Sequence, residues 1–186
     1  VFSGAANGYT DEKLLYDYTT VNKVYEQKFA QTKTTLSAAY TQKINAKSNI
    51  RSGFILNQLN YNFVQHEDTD SANMVEKINV KGSTQTAQAF FFFFYKVSTR
   101  LTTNVGLHYF RFFLNNSNSV EPRASLKYQL TPKNFVSVGY GLHSQLQPLG
   151  VYFAKEQHAD KTISTPNKNL GLSKAHHLVI GYDFII

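Results

Sequence analysis

Hydrophobic and polar residues alternate along most of the chain with a period of two. Ala124, Leu126 and Tyr128, for example, are separated by single serine and lysine residues. This period is typical of a β-strand with one apolar and one polar face. The pattern predicts seven strands, at about residues 32–41, 48–64, 83–95, 100–114, 120–130, 136–143 and 177–186.

The connections between these strands alternate in length. Short turns are predicted at 42–47, 96–99 and 131–134, and longer connections at 66–82, 115–119 and 147–172. All short turns then lie at one end of the sheet, as in bacterial outer-membrane barrels. Strands of about 11 to 17 residues also exceed the five or six usual in soluble sheets. The sequence therefore predicts an all-β fold: an antiparallel transmembrane-type β-barrel, or partial barrel, of about seven long strands.

The first 30 residues do not show this alternation. They are polar, with a weak helical rhythm from Asp11 to Tyr25, and predict a loop segment that could hold a short helix. We therefore expect residues 1–186 to form one partial outer-membrane β-barrel domain, with the strands and loops in 31–186. The sequence begins without Met and ends within an apolar alternation, so we expect both ends to be cuts in a longer sequence.

Composition removes several classes of protein. The chain has no Cys, which excludes disulfides and thiolate metal sites. It contains 15 Phe and 12 Tyr although its mean hydropathy is only -0.33, so the aromatic rings must be segregated from the polar residues. No apolar run approaches the roughly 18 residues of a spanning helix. A membrane crossing would therefore use strands.

The alternation assigns residues to two faces. Glycine, asparagine, serine and charged residues on the polar face are typical of a barrel lumen. Within that face, Arg51, Arg123, Lys127 and His143 are the candidate lumen-facing residues for an anionic solute or a plug. The predicted lipid-facing set is Leu126, Tyr128, Val136, Val138, Tyr140, Leu178, Ile180, Tyr182 and Phe184.

None of the other motifs in the sequence supports a functional assignment. The segment 139–144 imitates a dinucleotide fingerprint but lacks its third glycine and lies in a strand. The segment 68–73 begins like a calcium loop but has Asn73 where glycine is required. His176 and His177 are neighbours in a strand, so they face opposite ways. No catalytic set and no cofactor motif is recognisable, and we expect no enzymatic activity.

A metal or a nucleic acid is a weaker alternative. His66, Glu67, His158 and Asp160 lie in two predicted external loops that could converge on a metal or an iron chelate, without a supporting spacing motif. The formal net charge is +7, but the 19 Lys and Arg are scattered without a basic run. The charge pattern therefore does not favour nucleic acid as a partner.

Three segments resemble a known family. Residues 121–132, 137–145 and 169–182 are similar to the barrel of TonB-dependent outer-membrane receptors of the kind abundant in Bacteroidetes, most clearly over 119–186. The resemblance implies a 22-stranded barrel with an N-terminal plug that imports chelated iron, cobalamin, glycans or peptides. It also implies that the TonB complex supplies energy through the plug. Neither a plug nor a TonB box is recognised in these residues, and no family motif identifies the ligand.

Two functions follow as expectations. The first is a piece of such a receptor barrel in the bacterial outer membrane, with membrane lipid, the remaining barrel strands and the plug as partners. The second is a soluble β-sandwich or small-barrel module that binds glycan or nucleic acid through exposed aromatic side chains. A complete small barrel is disfavoured because single-chain bacterial barrels have even numbers of strands.

Overall fold

The chain folds into one large antiparallel sheet that curls into a half-barrel. The computed structural model describes residues 1–17, 20–68, 74–160 and 162–185. The order of strands in the sheet is β1-β2-β3-β4-β5-β6-β7-β10, so neighbours in the sheet follow one another along the chain. These strands are β1 (Phe2–Asp17), β2 (Thr20–Lys43), β3 (Ser48–Asp68), β4 (Met74–Lys96), β5 (Leu101–Phe112), β6 (Asn118–Thr131), β7 (Asn134–Gln145) and β10 (Ser173–Phe184).

The segment between β7 and β10 contains the remaining elements. It begins with a 3₁₀ helix, Leu149–Phe153, which we call the loop helix. A small hairpin of β8 (Glu156–Gln157) and β9 (Ile163–Ser164) follows, and then a second 3₁₀ helix, Pro166–Asn169. Residues 146–172 thus form the longest connection among the described strands. No helix in the described ranges is both long and apolar enough to cross a membrane.

The all-β prediction is confirmed, and the large sheet has eight described strands where about seven were predicted. The prediction of a loop segment over residues 1–30 was wrong, because β1 and the first part of β2 pair residue by residue across that segment. Its polar sequence forms strands through cross-strand pairing, which outweighs a weak local preference. The two-sheet sandwich is not observed in the described ranges, which contain one eight-stranded and one two-stranded sheet.

The expected long connection over 66–82 was also wrong. β3 continues to Asp68 and β4 begins at Met74, so most of this polar stretch is strand. The calcium-like motif at 68–73 lies outside the described residues except for Asp68. The short turns are confirmed, and in the one after β6 the side-chain oxygen of Thr131 accepts a hydrogen bond from Asn134 Nδ2 at 2.7 Å. At the opposite end of the sheet from the short turns, the long strands β3 and β4 occupy most of the stretch 66–82 that was expected to be a loop.

The strands differ greatly in length. β2, β3 and β4 contain 24, 21 and 23 residues, whereas β5 and β7 contain 12 each. β5 pairs only with the part of β4 from Thr86 to Lys96. The rest of β4 and the matching segments of β1–β3 project beyond the neighbouring strands. We call these segments, residues 3–17, 20–35, 57–68 and 74–86, the extension.

The hydrophobic core lies beneath the extension. The loop helix folds back over its inner face, and the backbone N–H of Lys155 donates to the carbonyl of Lys77 at 3.0 Å on the free edge of β4. Partly buried Phe29, Val80 and Phe153 pack around this core. Its buried members are Leu59, Tyr61, Phe63, Ile78, Phe112, Leu149 and Tyr152.

Candidate functional site

The pairing register places every strand residue on one of two faces. Leu126 of β6 pairs with Val138 of β7, which pairs with Ile180 of β10. The row beside it pairs Lys127 with Ser137 and Gly181 on the opposite, inner face. All nine residues predicted to share one face lie on the same outer face. The sequence prediction of a common face is therefore confirmed.

The outer face carries a band of exposed apolar side chains, which we call the belt. It runs from the row Leu36, Leu56 and Ala87 down to the short turns. On β4 it spans Ala87 to Tyr95, about 26 Å along the strand at 3.3 Å per residue. The exposed large members are Leu36, Tyr40, Phe54, Leu56, Phe91, Tyr95, Val105, Leu107, Leu126, Tyr128, Val138, Tyr140, Leu178, Ile180, Tyr182 and Phe184.

Tyrosines mark the lower margin of the belt. Tyr40, Tyr95, Tyr128 and Tyr182 are all exposed on the outer face and lie within three residues of the short-turn ends of β2, β4, β6 and β10. Tyrosine has an apolar ring and a polar hydroxyl, so it is enriched where an apolar phase meets water. The row therefore has the composition of an aromatic girdle.

The outer face becomes polar immediately above the belt. The next row is Thr34, Gln58 and Gln85, in which Gln85 Nε2 donates to Gln58 Oε1 at 2.8 Å. One row further, Asn60 Nδ2 donates to Thr32 Oγ1 at 3.2 Å. The outer surface thus changes from aliphatic and aromatic to amide and hydroxyl side chains within one residue pair along each strand. This change coincides with the start of the extension.

A buried carboxylate organises the inner face beside the belt. Glu121 of β6 is 2% exposed and lies opposite His108 of β5. Its Oε2 lies 2.9 Å from His108 Nδ1 and accepts a bond from Arg123 Nη2 at 2.9 Å. Its Oε1 accepts bonds from the backbone N–H of Ser144, at 3.1 Å, and from the Ser144 hydroxyl. We call these four residues and Gln88, which bonds His108 Nε2, the Glu121 network.

The four lumen candidates lie on the inner face but not in one site. Arg123 belongs to the Glu121 network, and the His143 ring lies 4.9 Å from the His177 ring in an edge-on contact. Lys127 instead forms an ion pair with Asp183 at 2.8 Å and lies over the Phe135 ring. The Arg51 guanidinium lies 6.0 Å from the Phe90 ring. Only Arg123 and His143 share a cavity.

That cavity is formed by two adjacent rows of inner-face residues. One row is Arg123, Gly141 and His177, and the other is Ser125, Gly139 and Val179. The space above Gly139 of β7 is open, whereas the His143 ring lies over Gly141, and the depression measures about 240 Å³. Sequence reasoning found Arg123 and His143 but missed Glu121 and His108. The sequence contains a clue to Glu121, because it lies two residues before Arg123 in an alternating strand. It therefore faces the same side as Arg123, and it carries the opposite charge.

A second cavity lies on the inner face of the extension. It measures about 650 Å³ and is bounded by β1–β4 and the loop helix. A continuous series of rings runs beside it, with centroid separations of 5.6 Å from Tyr9 to Phe29 and 4.5 Å from Phe29 to Phe63. Tyr61 continues the series to Phe153 at 4.9 Å. Burial among these rings raises the pKa of the Tyr61 hydroxyl.

The loop that covers this second cavity is fixed by an ion pair. Lys155 Nζ lies 2.5 Å from Glu76 Oε1, and Asn79 Nδ2 donates to Glu76 Oε2 at 2.8 Å. The hydrogen bonds from Lys155 and Asn79 lower the pKa of the Glu76 carboxyl. Together with the backbone bond from Lys155 to Lys77, this contact holds the segment after the loop helix against β4.

The remaining sequence candidates have local roles. His158 bonds Ser164, and Asp160 accepts bonds from Thr162, so both stabilise the β8–β9 hairpin. His176 contacts Tyr140 on the outer face, whereas His177 faces inward, as expected for strand neighbours. In the part of the chain that the structure describes, no three potential ligands among His, Asp and Glu are grouped for a metal. The segment 139–144 lies within β7, as the strand interpretation predicted.

The fold and the inner face together define the class of structure as an all-β half-barrel with an apolar outer belt and an inner wall of polar residues and the rings of Phe90, Phe92 and Phe94. Comparison with protein families, curated proteins and solved structures finds no match to this chain.

Proposed function

We propose that the chain forms part of the wall of a TonB-dependent receptor barrel in the bacterial outer membrane. In this role the belt faces lipid and the inner face lines the lumen through which a nutrient is imported. The resemblance names chelated iron, cobalamin, glycan and peptide as the classes of nutrient. The remaining strands and the plug of the receptor would be its protein partners, and the TonB complex would act through the plug.

The belt is the observation that carries this proposal. Its length of about 26 Å along β4 corresponds to a height of about 20 Å for a strand tilted by about 35–45°, as in outer-membrane barrels, whose apolar band is roughly 25 Å tall. Monomeric soluble proteins rarely expose apolar patches above a few hundred Å², and sixteen large side chains are exposed across the belt. No described element of the chain covers them, since the loop helix packs on the inner face of the extension. Lipid is the environment that suits this surface.

The inner face supports the same proposal. Several inward charged and amide side chains bond one another, as in the Glu121 network and the bond from Asn57 Nδ2 to Thr86 Oγ1 at 2.8 Å. In the described belt region the inner face combines such polar residues with the rings of Phe90, Phe92 and Phe94 on β4, and the buried apolar cluster lies beneath the extension. An exposed apolar exterior around a largely polar interior differs from a soluble sheet protein, in which the apolar face is buried.

Tryptophan fluorescence tests which face meets lipid, because the chain has no native Trp. Phe91 and Phe94 are exposed residues on opposite faces of the same strand, so Phe91→Trp and Phe94→Trp form a matched pair. After reconstitution of the chain into vesicles, brominated lipid should quench Trp at position 91 strongly and at position 94 weakly. Aqueous iodide should show the opposite order.

Two results would contradict the proposal. Equal quenching of both positions by brominated lipid would mean that the belt does not define a lipid-facing side. A chain that stays monomeric in buffer without detergent and does not associate with vesicles would favour a soluble binding module instead. A double mutant carrying both tryptophans provides the internal calibration of quenching efficiency.

A further inference from the structure

The cavity beside the Glu121 network has a floor without side chains and walls that can donate hydrogen bonds. Gly139 of β7 forms its floor, the His143 ring lies over the neighbouring Gly141, and Arg123, Ser125 and His177 surround the opening. At Gly139 an added Cβ would have no neighbour closer than 3.8 Å, so the space above this glycine is open. The cavity is therefore a recess in the inner wall and not a gap between packed side chains.

The charge of the lining is asymmetric. Arg123 is the permanent cation among the residues that line the cavity, and no Asp or Glu lines it. The nearest carboxylate in the bonding network is Glu121, whose two oxygens are occupied by Ser144, His108 and Arg123. Glu121 therefore orients the guanidinium, while the recess itself presents only cationic and neutral groups.

The residues that line the recess offer hydrogen-bond donors to it. These are the ring nitrogens of His143 and His177 and the hydroxyl of Ser125, beside the guanidinium of Arg123. Asn104 Oδ1 and Arg123 Nε have no protein partner, but both atoms are enclosed by the protein and Asn104 Oδ1 can only accept, so neither is a contact for an acid in the recess.

We propose that this recess binds the carboxylate of a small organic acid. The carboxylate would be held by Arg123 and by ring N–H or hydroxyl donors of His143, His177 and Ser125, while its apolar part lies between Phe92 and Val179. A guanidinium is the side chain best matched to a carboxylate. The volume of about 240 Å³ accommodates a single ring with one acidic group. The site would bind an acidic solute transiently as it passes along the proposed lumen wall.

The biological meaning of this site rests on the proposed function, but its binding test does not. We expect a dissociation constant of about 1 mM. Binding should be weak because the recess is open and the charge of Arg123 is partly neutralised by Glu121. NMR signals of the histidine rings report it, because the chain has only six His. Benzoate titrated into the folded chain in micelles should shift the His143 and His177 ring signals saturably. Benzamide, which has the same shape without charge, should bind at least ten-fold more weakly.

Variants distinguish binding in the recess from nonspecific attraction of benzoate to a positively charged protein. Gly139→Val fills the recess without touching the Glu121 network and should abolish the benzoate shifts. Ser137→Val, on the same face of β7 but outside the recess, should leave them unchanged. Arg123→Gln should weaken benzoate at least ten-fold, and Gly139→Val keeps the test decisive if Arg123→Gln does not fold.

Several outcomes would overturn the inference. These are equal binding of benzoate and benzamide, unchanged benzoate binding in Gly139→Val, or inorganic phosphate binding as tightly as benzoate. Failure here together with the expected lipid quenching at Phe91→Trp would leave the membrane proposal intact. Binding of benzoate by a chain whose Phe91→Trp variant shows no lipid quenching would retain the site and reject the membrane role.

Discussion

The extension and the belt region of the same sheet are stabilised in different ways. In the extension, the inner faces of β3 and β4 carry the apolar core beneath the loop helix, and the outer face bears Asn, Gln, Ser and Thr. In the belt region, the outer face is apolar and exposed, and the buried inner residues Ser119 and Glu121 are polar. The polarity of the two faces therefore reverses along β3, whereas β4 in the belt region carries Phe90, Phe92 and Phe94 on its inner face as well.

This reversal indicates two different surroundings for one continuous sheet. The extension has the arrangement of a soluble protein, with a core inside and water outside. The belt region depends on surroundings that cover its apolar outer face. Substitutions in the extension should accordingly change stability through the packing of apolar side chains. Substitutions on the inner wall of the belt region should change it through lost hydrogen bonds and ion pairs.

The largest effect is expected where the two regions meet, at Phe112. This residue ends β5, is 0% exposed and packs on Tyr152 of the loop helix at 5.3 Å between ring centroids. Phe112→Ala should lower the free energy of unfolding by about 3–5 kcal/mol, from lost burial and the cavity left behind. Urea unfolding of the chain in detergent, followed by circular dichroism, measures the difference.

The neighbouring residue supplies the control for this variant. Phe113 is 44% exposed, so Phe113→Ala should cost less than about 1 kcal/mol. Similar costs for the two variants would mean that the core beneath the loop helix does not stabilise the fold.

The belt region should respond most to loss of the buried carboxylate. Glu121→Ala leaves Arg123 and His108 without their partner and should destabilise the chain by about 3 kcal/mol. The control is Asp183→Asn, which breaks the Lys127 ion pair, whose side chains are 49% and 56% exposed. That variant should change stability by less than about 1 kcal/mol. Equal effects in the same urea experiment would show that burial of Glu121 is not the source of its contribution.

A close contact on the inner wall predicts a smaller effect. An added Cβ at Gly106 would lie 2.2 Å from Phe92 Cδ1 and 2.8 Å from the carbonyl oxygen of Phe91. Gly106→Ala should therefore destabilise by about 2 kcal/mol through overpacking. Gly139→Ala has open space and should be neutral or slightly stabilising. Thermal melting of the two variants in parallel checks the difference, and equal melting temperatures would contradict it.

The belt region was largely predictable from the sequence, and the extension was not. Strict alternation at Leu126, Tyr128, Val138 and Tyr140 placed them correctly on one face, because both faces of these strands have a uniform character. In the extension the outer face is polar and only isolated inner residues such as Tyr9 and Phe29 are apolar. Sparse apolar residues in a polar segment do not show a clear period of two, so the sequence predicts loops at residues 1–30 and 66–82.

The candidate site was predictable only in part, for a similar reason. Arg123 and His143 stood out as charged or titratable residues on the polar face. Their association with Glu121 depends on the register between β5, β6 and β7, which brings His108 opposite Glu121 and Arg123 opposite Gly141. Register is set by long-range pairing and turn geometry, so a single sequence does not give it at this precision.

The smallest expected effect is a pH-dependent one in the extension. Hydrogen bonds from Lys155 and Asn79 lower the pKa of Glu76 in the folded chain, so this carboxylate stabilises the folded state above its unfolded pKa. That contribution is lost as the pH falls through the lower, folded pKa. Glu76→Gln should therefore be slightly less stable than the native chain at pH 7, and the two urea midpoints should converge as the pH is lowered below about 4.5.

The matched control for Glu76 lies in the same extension. Glu26 pairs with Lys28 on the outer face of β2, away from the loop helix, so Glu26→Gln should not loosen the loop. Hydrogen exchange at the amide of Lys155, which bonds the Lys77 carbonyl, should accelerate in Glu76→Gln at pH 7 but not in Glu26→Gln. Unchanged exchange in Glu76→Gln would mean that the ion pair is not needed to hold the loop against β4. In that case the ion pair would be a surface contact of negligible strength, and the backbone bond and the core contacts of Leu149 and Tyr152 would link the loop to the extension.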